Sequence, residues 1–305
     1  MSVLPASATM PPSDASPADH LAALALEGQR IEQPLESGGR LVWHTWGRGE
    51  PVVLFHGGHG SWTHWVRNVR ALARHHAVWA ADLPGFGDSD NLAGVTDADG
   101  IWPAVAEGIT TLIAPGGDAH LVGFSFGSMV AGFIAAERPE LVRSLTLVGT
   151  AALFGNESSL DGLVSVRRLT DPAELRAAHR QNLKVLMLHT DDAIDDFTLH
   201  VQAHNVARDR LPNRRLAHTT LMQTLQARWQ CPVQGIWGRH DVLYGDDRFS
   251  RLREVLPDCD LRRAHILEGA GHWVQYEAAN AFNEHLLSFL DAVDRERDTG
   301  GAGTD

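Results

Sequence analysis

The pentapeptide Gly123-Phe124-Ser125-Phe126-Gly127 stands where an apolar run, AHLVGFS (119–125), gives way to a helical pattern over 126–137. No other feature constrains the fold as much. A chain that leaves a buried strand and enters a helix within one residue must turn sharply, which forces the residue at the turn into a strained backbone conformation. Glycines two positions on either side are then required, because strand and helix approach too closely for a Cβ. A serine at that apex exposes its hydroxyl above a sheet edge, and the helix N-terminus supplies positive potential where negative charge would develop.

The alternation around this turn extends over most of the 305 residues. LVWHTW (41–46), PVVLFH (51–56), HAVWAAD (76–82), SLTLVGTA (144–151), CPVQGIWG (231–238) and DLRRAHIL (260–267) predict further strands. Helices are predicted from about 61 to 74 and over 101–114, 245–256 and 272–292. Continuously apolar strands separated by helices imply a mostly parallel sheet covered on both faces, an α/β fold. From 152 to 230 the alternation stops, and helices with charged faces predict a helical cap inserted at one edge of a core made of residues 31–151 and 231–292. Residues 1–30 and 293–305, poor in large apolar groups, are expected to be disordered.

Composition excludes several functions. With 26 basic and 38 acidic side chains the formal charge is −12, the wrong sign for a nucleic-acid footprint or an anionic membrane surface. No run approaches 18 uninterrupted apolar residues, which disfavours a transmembrane helix. Residues 1–20 lack Lys, Arg and a secretory apolar run, so a cytoplasmic location is expected. The two cysteines, Cys231 and Cys259, lie outside any metal-ligand spacing, so neither a disulfide framework nor a structural metal is expected.

A serine hydroxyl is a weak nucleophile that needs a general base, which in turn needs an orienting acid. Asp241 in Gly238-Arg239-His240-Asp241 lies just past the strand 231–238, and His272 in Gly269-Ala270-Gly271-His272-Trp273 just past the strand 260–267. One of 17 histidines taken alone is more often a solvated or hydrogen-bonded surface group. Ser125, Asp241 and His272 in that order, each at a strand's C-terminal end, form the pattern expected when one sheet edge carries all three. Oxyanion donors are assigned to the backbone N–H groups of Gly58, in the His56-Gly57-Gly58 turn, and of Phe126. His56 is read as structural, and His59 as a rim residue within reach of substrate.

These motifs together resemble the α/β-hydrolase-fold serine hydrolases. The likeness covers about Leu41 to Leu290 and includes Asp82-Leu-Pro-Gly-Phe-Gly-Asp-Ser, read as a structural loop. Within that family, GHWVQYEAANAFNEHLLSFL (271–290), including Trp273, is similar to the C-terminal motif of the meta-cleavage-product hydrolases, which split carbon–carbon bonds in vinylogous 1,5-diketones. Members of that group usually carry HGGGPGA where this chain has His56-Gly-Gly-His-Gly-Ser-Trp, and Asn where it has Phe124. Both departures remove polar or small groups near a dienol, so the expectation here is a carboxylic-ester hydrolase working through an acyl-enzyme. Carbon–carbon hydrolysis is the alternative. A ligand receptor that retains the triad is a third reading. The resemblance implies no metal or organic cofactor, and serine in place of aspartate at position 125 argues against haloalkane dehalogenase and epoxide hydrolase chemistry.

The expected partner is a small-molecule ester or carbonyl compound, and a homodimer stays open. Residues 156–230 hold 10 basic and 9 acidic side chains, so the cap is near neutral while the rest of the chain carries −13. An anionic substrate is therefore compatible with the net charge. Arg208 and Arg210 are candidates for a two-pronged carboxylate contact from the cap. Phe124, His59 and Trp273 complete the substrate-binding candidates.

Overall fold

The computed structural model describes residues 15–36, 38–155 and 160–301. Its strands are β1 (Gln29–Pro34), β2 (Arg40–Gly47), β3 (Pro51–Phe55), β4 (Ala77–Asp82), β5 (Ala119–Phe124), β6 (Val142–Val148), β7 (Val233–Gly238) and β8 (Leu261–Leu267). They form one sheet in the order β1-β2-β4-β3-β5-β6-β7-β8. Pairing is parallel from β4 through β8 and antiparallel where β2 meets β1 and β4. The helices are α1 (Pro17–Leu26), α2 (Val69–Leu72), α3 (Ala98–Gly108), α4 (Phe126–Glu137), α5 (Pro172–Asn182), α6 (Asp196–Ala207), α7 (Leu221–Leu225), α8 (Asp246–Ser250), α9 (Leu252–Val255), α10 (Val274–Glu277) and α11 (Ala279–Gly301).

The central strands are apolar throughout because both of their faces are covered. Val53, Phe55 and Leu121 point into one core with α3 and α4, whereas Val52, Leu54 and Val122 point into a second core with Trp65, Trp273, Phe282 and Phe289. Burying each such side chain favours folding by roughly 1.5–3 kcal/mol. This is the mostly parallel α/β sheet expected from the sequence. Strand β1 escapes the pattern, since QRIEQP at the sheet's edge buries only Gln33 and presents a largely polar surface.

Three local expectations are corrected. Residues 1–14 and 302–305 lie outside the described residues, but the leader and tail are helical where described. Helix α1 starts at a capping box between Ser16 and Asp19 and buries Leu21 and Leu24, while the Trp46 indole donates to the Leu24 carbonyl at 2.9 Å. Two buried leucines outweigh the low hydrophobicity on which disorder was expected. Helix α11 continues through the tail, with Arg297 pairing Asp118 and Glu296 pairing Arg262, each at 2.6 Å. Lastly, the helix expected from 61 to 74 is only a 3-10 turn (Trp62–Trp65) followed by α2. Side chains compete with the helix there: the Ser61 and Thr63 hydroxyls donate to Asn205, and the Trp62 amide donates to Asp82.

Helices α5, α6 and α7 all fall between β6 and β7, and the stretch after α6 is fastened to the loop that follows β4. The Arg210 amide donates to the Gly85 carbonyl at 2.8 Å, and its guanidinium donates to the carbonyls of Gly87 and Ser89. Arg208 forms an ion pair with Asp88. The Leu216 amide donates a hydrogen bond to the Asp97 carboxylate at 3.0 Å.

The close packing of β5 and α4 makes a direct prediction. A Cβ on Gly127 would press on the backbone carbonyls of Phe55 and His56, and one on Gly123 would lie 2.5 Å from the Gly127 carbonyl. Gly127→Ala is expected to cost about 1–3 kcal/mol, the usual range for overpacking, measured by urea unfolding against the parent protein.

Candidate active site

Strand β5 ends at Phe124 and α4 begins at Phe126, leaving Ser125 alone at the junction with φ 49° and ψ −111°. A non-glycine residue in that region is strained, and the neighbours hold it there. The Ser125 amide donates to the Val148 carbonyl at 2.8 Å, while the Ser128 amide donates to the Ser125 carbonyl at 3.0 Å.

The loops after β7 and β8 bring the other two predicted residues to this point. His272 Nε2 is 2.9 Å from Ser125 Oγ, and His272 Nδ1 is 2.8 Å from Asp241 Oδ2. The second Asp241 oxygen accepts from the Leu243 amide at 2.9 Å. Both His272 and Asp241 are buried, so their contact is little screened by water. With Nδ1–H donated to the carboxylate, Nε2 is left to accept the serine proton, an arrangement suited to raising the nucleophilicity of Ser125. Gly149 passes so close that a Cβ there would sit 3.1 Å from His272 Nδ1.

The His56-Gly57-Gly58 turn lies against this cluster. A Cβ on Gly57 would come within 3.3 Å of Ser125 Cβ, which places the turn beside the hydroxyl. His56 fixes its shape: Nδ1 donates to the Gly57 carbonyl at 2.7 Å and Nε2 accepts from the Leu83 amide at 3.0 Å. Burial pushes the His56 pKa down to about 4, keeping the ring neutral. Gly58 faces Arg214, whose Nε would be 3.2 Å from a Cβ at that position.

Two cavities meet this region. A small one of about 150 Å³ contains Ser125 and His272, with Thr150–Phe154, Leu186, His218, Tyr244 and Arg248 among its walls. A larger one of about 1230 Å³ opens among α5, α6 and the 163–167 stretch and reaches Gly58 and His59. Leu186 lines both. His59, in a left-handed conformation with φ 54°, pairs through Nδ1 with Asp209 and borders the larger cavity.

The remaining substrate-binding candidates are corrected. Phe124 is buried under the site, its ring 5.0 Å from that of His272 and 5.5 Å from that of His64. Trp273 is wholly buried, donates to the His64 carbonyl at 3.0 Å and stacks on Tyr276. Neither lines either of these two cavities. Arg208 and Arg210 are spent on Asp88, His204 and the carbonyls after β4, so they fasten the inserted segment instead of reaching toward Ser125. Sequence reasoning missed Leu186 and His179, which line cavities but carry no motif.

One group of three among the described residues, His44, Asp82 and Asp88, brings ligand-type atoms within 4.8 Å of one another. Its carboxylates already have partners, since Asp82 accepts from the Trp62 and Asp88 amides and Asp88 pairs with Arg208. No described helix is long and apolar enough to cross a membrane.

A model of the alpha/beta hydrolase family matches residues 52–285. A 2-hydroxy-6-oxo-6-phenylhexa-2,4-dienoate hydrolase from Burkholderia cepacia is 31% identical over 262 residues, covering 80% of this chain and 88% of that protein. A 2-hydroxy-6-oxononadienedioate/2-hydroxy-6-oxononatrienedioate hydrolase from a Pseudomonas species is 28% identical over 262 residues, covering 79% of this chain and 88% of that protein. Among solved structures, the meta-cleavage product hydrolase of Pseudomonas fluorescens IP01 superposes with a TM-score of 0.70 at 24% identity, over 88% of this chain and 99% of that one.

Two predictions arise from the site's surroundings. Arg210→Met should lower stability by about 1–3 kcal/mol, as loss of a charged hydrogen-bond donor does, while KM stays within about twofold, measured by thermal unfolding and steady-state kinetics. The second concerns acid. Burial lowers His44 and His56 to about 4, so unfolding below pH 6.5 takes up a proton at each, and their contribution is lost as pH falls toward 4. Burial raises Asp82 to about 6, so it opposes them by one proton between about pH 6 and 4. The net sign is uptake on unfolding, and urea midpoints should fall steadily from pH 6.5 to 4.

Proposed function

The chain belongs to the alpha/beta hydrolase family, and on that premise we propose that it hydrolyses the carbon–carbon bond beside the keto group of a 2-hydroxy-6-oxo-dienoate. The ester preference drawn from Phe124 and the His56 turn gives way to the relatives, two of which are named for that substrate type and align over most of their length. The observation that carries the chemistry is the unbroken chain of contacts from Ser125 through His272 to Asp241 at 2.9 and 2.8 Å.

In this reading Ser125 Oγ adds to the ketone as its proton passes to His272 Nε2, and Asp241 stabilises the imidazolium. The amides of Gly58 and Phe126 receive the developing oxyanion, a contact worth about 2.7–4 kcal/mol per donor in enzymes of this kind. The carbon–carbon bond then breaks. For this the 2-hydroxydiene first ketonises, its hydroxyl proton moving to C5, so that the electron pair of the broken bond is delocalised through the C3–C4 double bond onto the C2 carbonyl of the departing fragment, whose oxygen takes up the proton held by His272. Water hydrolyses the acyl-enzyme, so one water is consumed and a carboxylic acid and a dienol are released.

Ester hydrolysis is the second reading, favoured by one observation. The residue before the nucleophile is a buried phenylalanine that offers a dienol no polar contact. The same triad would cleave an ester with no need to stabilise a carbon leaving group.

The test pairs 2-hydroxy-6-oxo-6-phenylhexa-2,4-dienoate with short p-nitrophenyl esters. Loss of the dienoate chromophore with kcat/KM at least about tenfold above that for any ester supports carbon–carbon cleavage; the opposite ratio supports the esterase. Ser125→Ala should lower kcat for the preferred substrate by about 10⁴-fold or more. Undiminished turnover by that variant would overturn both readings.

A further inference from the structure

Between α5 and α6 the chain turns back onto the core and meets the loop that carries His272. The Trp273 amide donates to the Met187 carbonyl at 2.7 Å, and a Cβ on Gly271 would lie 2.9 Å from the His189 amide nitrogen. One side chain joins the two sides of this seam. The Glu277 carboxylate accepts from the Gly271 amide at 2.8 Å, the His189 amide at 3.0 Å, the Thr190 amide at 2.7 Å and the Thr190 hydroxyl at 2.8 Å. An ionised carboxylate offers about four lone-pair sites, so these donors use its capacity. Hydrogen bonds to a charged acceptor are also about twice as strong as neutral ones.

The same stretch reaches the loop of the orienting acid. The His189 ring stacks on that of His240, 3.5 Å away and 7° from parallel, and His240 directly precedes Asp241. The His240 amide in turn donates to the Ala270 carbonyl at 2.9 Å. Residues 187–190 therefore touch both the loop that bears the base and the loop that bears its acid.

We propose that Glu277 is a positioning residue, which sets the reach of His272 Nε2 to Ser125 Oγ by tying the His272 loop to residues 187–190 of the inserted segment. Among the described residues its carboxylate bonds to three backbone amides and one hydroxyl and to no side chain of the triad, so it acts through the loop. Misplacing a reacting group by 1 Å costs about 10²-fold in rate, which is the scale on which such a tie matters. The proposal takes Ser125 and His272 as the reacting pair and so rests on the hydrolase reading above.

The experiment uses the full chain carrying Glu277→Gln or Thr190→Val. Glutamine keeps the shape but turns an NH2 group against the donors of one side, whichever way its amide lies. Glu277→Gln should lower kcat for the preferred substrate by about 30–100-fold while KM stays within about twofold. In one-dimensional proton NMR the downfield His272 Nδ1–H signal, assigned by its absence in His272→Ala, should broaden or vanish in Glu277→Gln. Thr190→Val deletes one donor and leaves the carboxylate; it should lower kcat about threefold. In the Glu277→Gln background it should lower kcat no further, because both changes cut one tie. A lower Tm with kcat unchanged in the folded protein would overturn the proposal. So would a raised KM at constant kcat, an unaltered downfield signal, or additive effects of the two substitutions. Where Glu277→Gln does not fold, kcat and the downfield signal of Thr190→Val decide alone. If Ser125→Ala stays active while Glu277→Gln loses the downfield signal, the hydrolase reading falls and the tie from Glu277 to His272 stands.

Discussion

The close approach of β5 to α4 governs how the sheet, the helices and the site fit together. Glycine at 123 and 127 lets strand and helix nearly touch, and the cost is a serine held at φ 49° between them. Such strain persists only where surrounding structure over-determines it. Here the surroundings are the centre of an eight-stranded sheet and two hydrophobic cores, one against each face. The stability of the whole α/β sandwich thus holds one side chain in place.

Parallel strand order makes that rigidity useful. Because β5, β7 and β8 run in the same direction, the loops at their C-terminal ends share one edge, and residues more than a hundred positions apart in sequence meet within hydrogen-bond distance. The turn after β3 joins the same edge, with His56 kept neutral by burial so that it can brace both the Gly57 carbonyl and the Leu83 amide.

Three arginines of the inserted segment serve the architecture. Arg208 and Arg210 meet a carboxylate and a row of carbonyls on the loop after β4, and Arg214 meets Asp209 beside Gly58. Each is satisfied within the fold. Arg167, which lines the larger cavity, forms no ion pair with a described residue.

The mostly parallel sheet, the turn at Ser125 and the order Ser125, Asp241, His272 were legible in the residues alone. They depend on local rules: apolar runs mark strands buried on both faces, and glycine marks backbones that must touch. The same local rules misjudged α1 and the end of α11, whose order comes from burial of Leu21 and Leu24 and from ion pairs with residues far along the chain. They also could not say which arginines are spent on the fold, or that Phe124 and Trp273 face the core. Those points waited on the folded arrangement, since whether a side chain anchors or packs depends on partners brought to it by strand order and by the docking of the inserted helices.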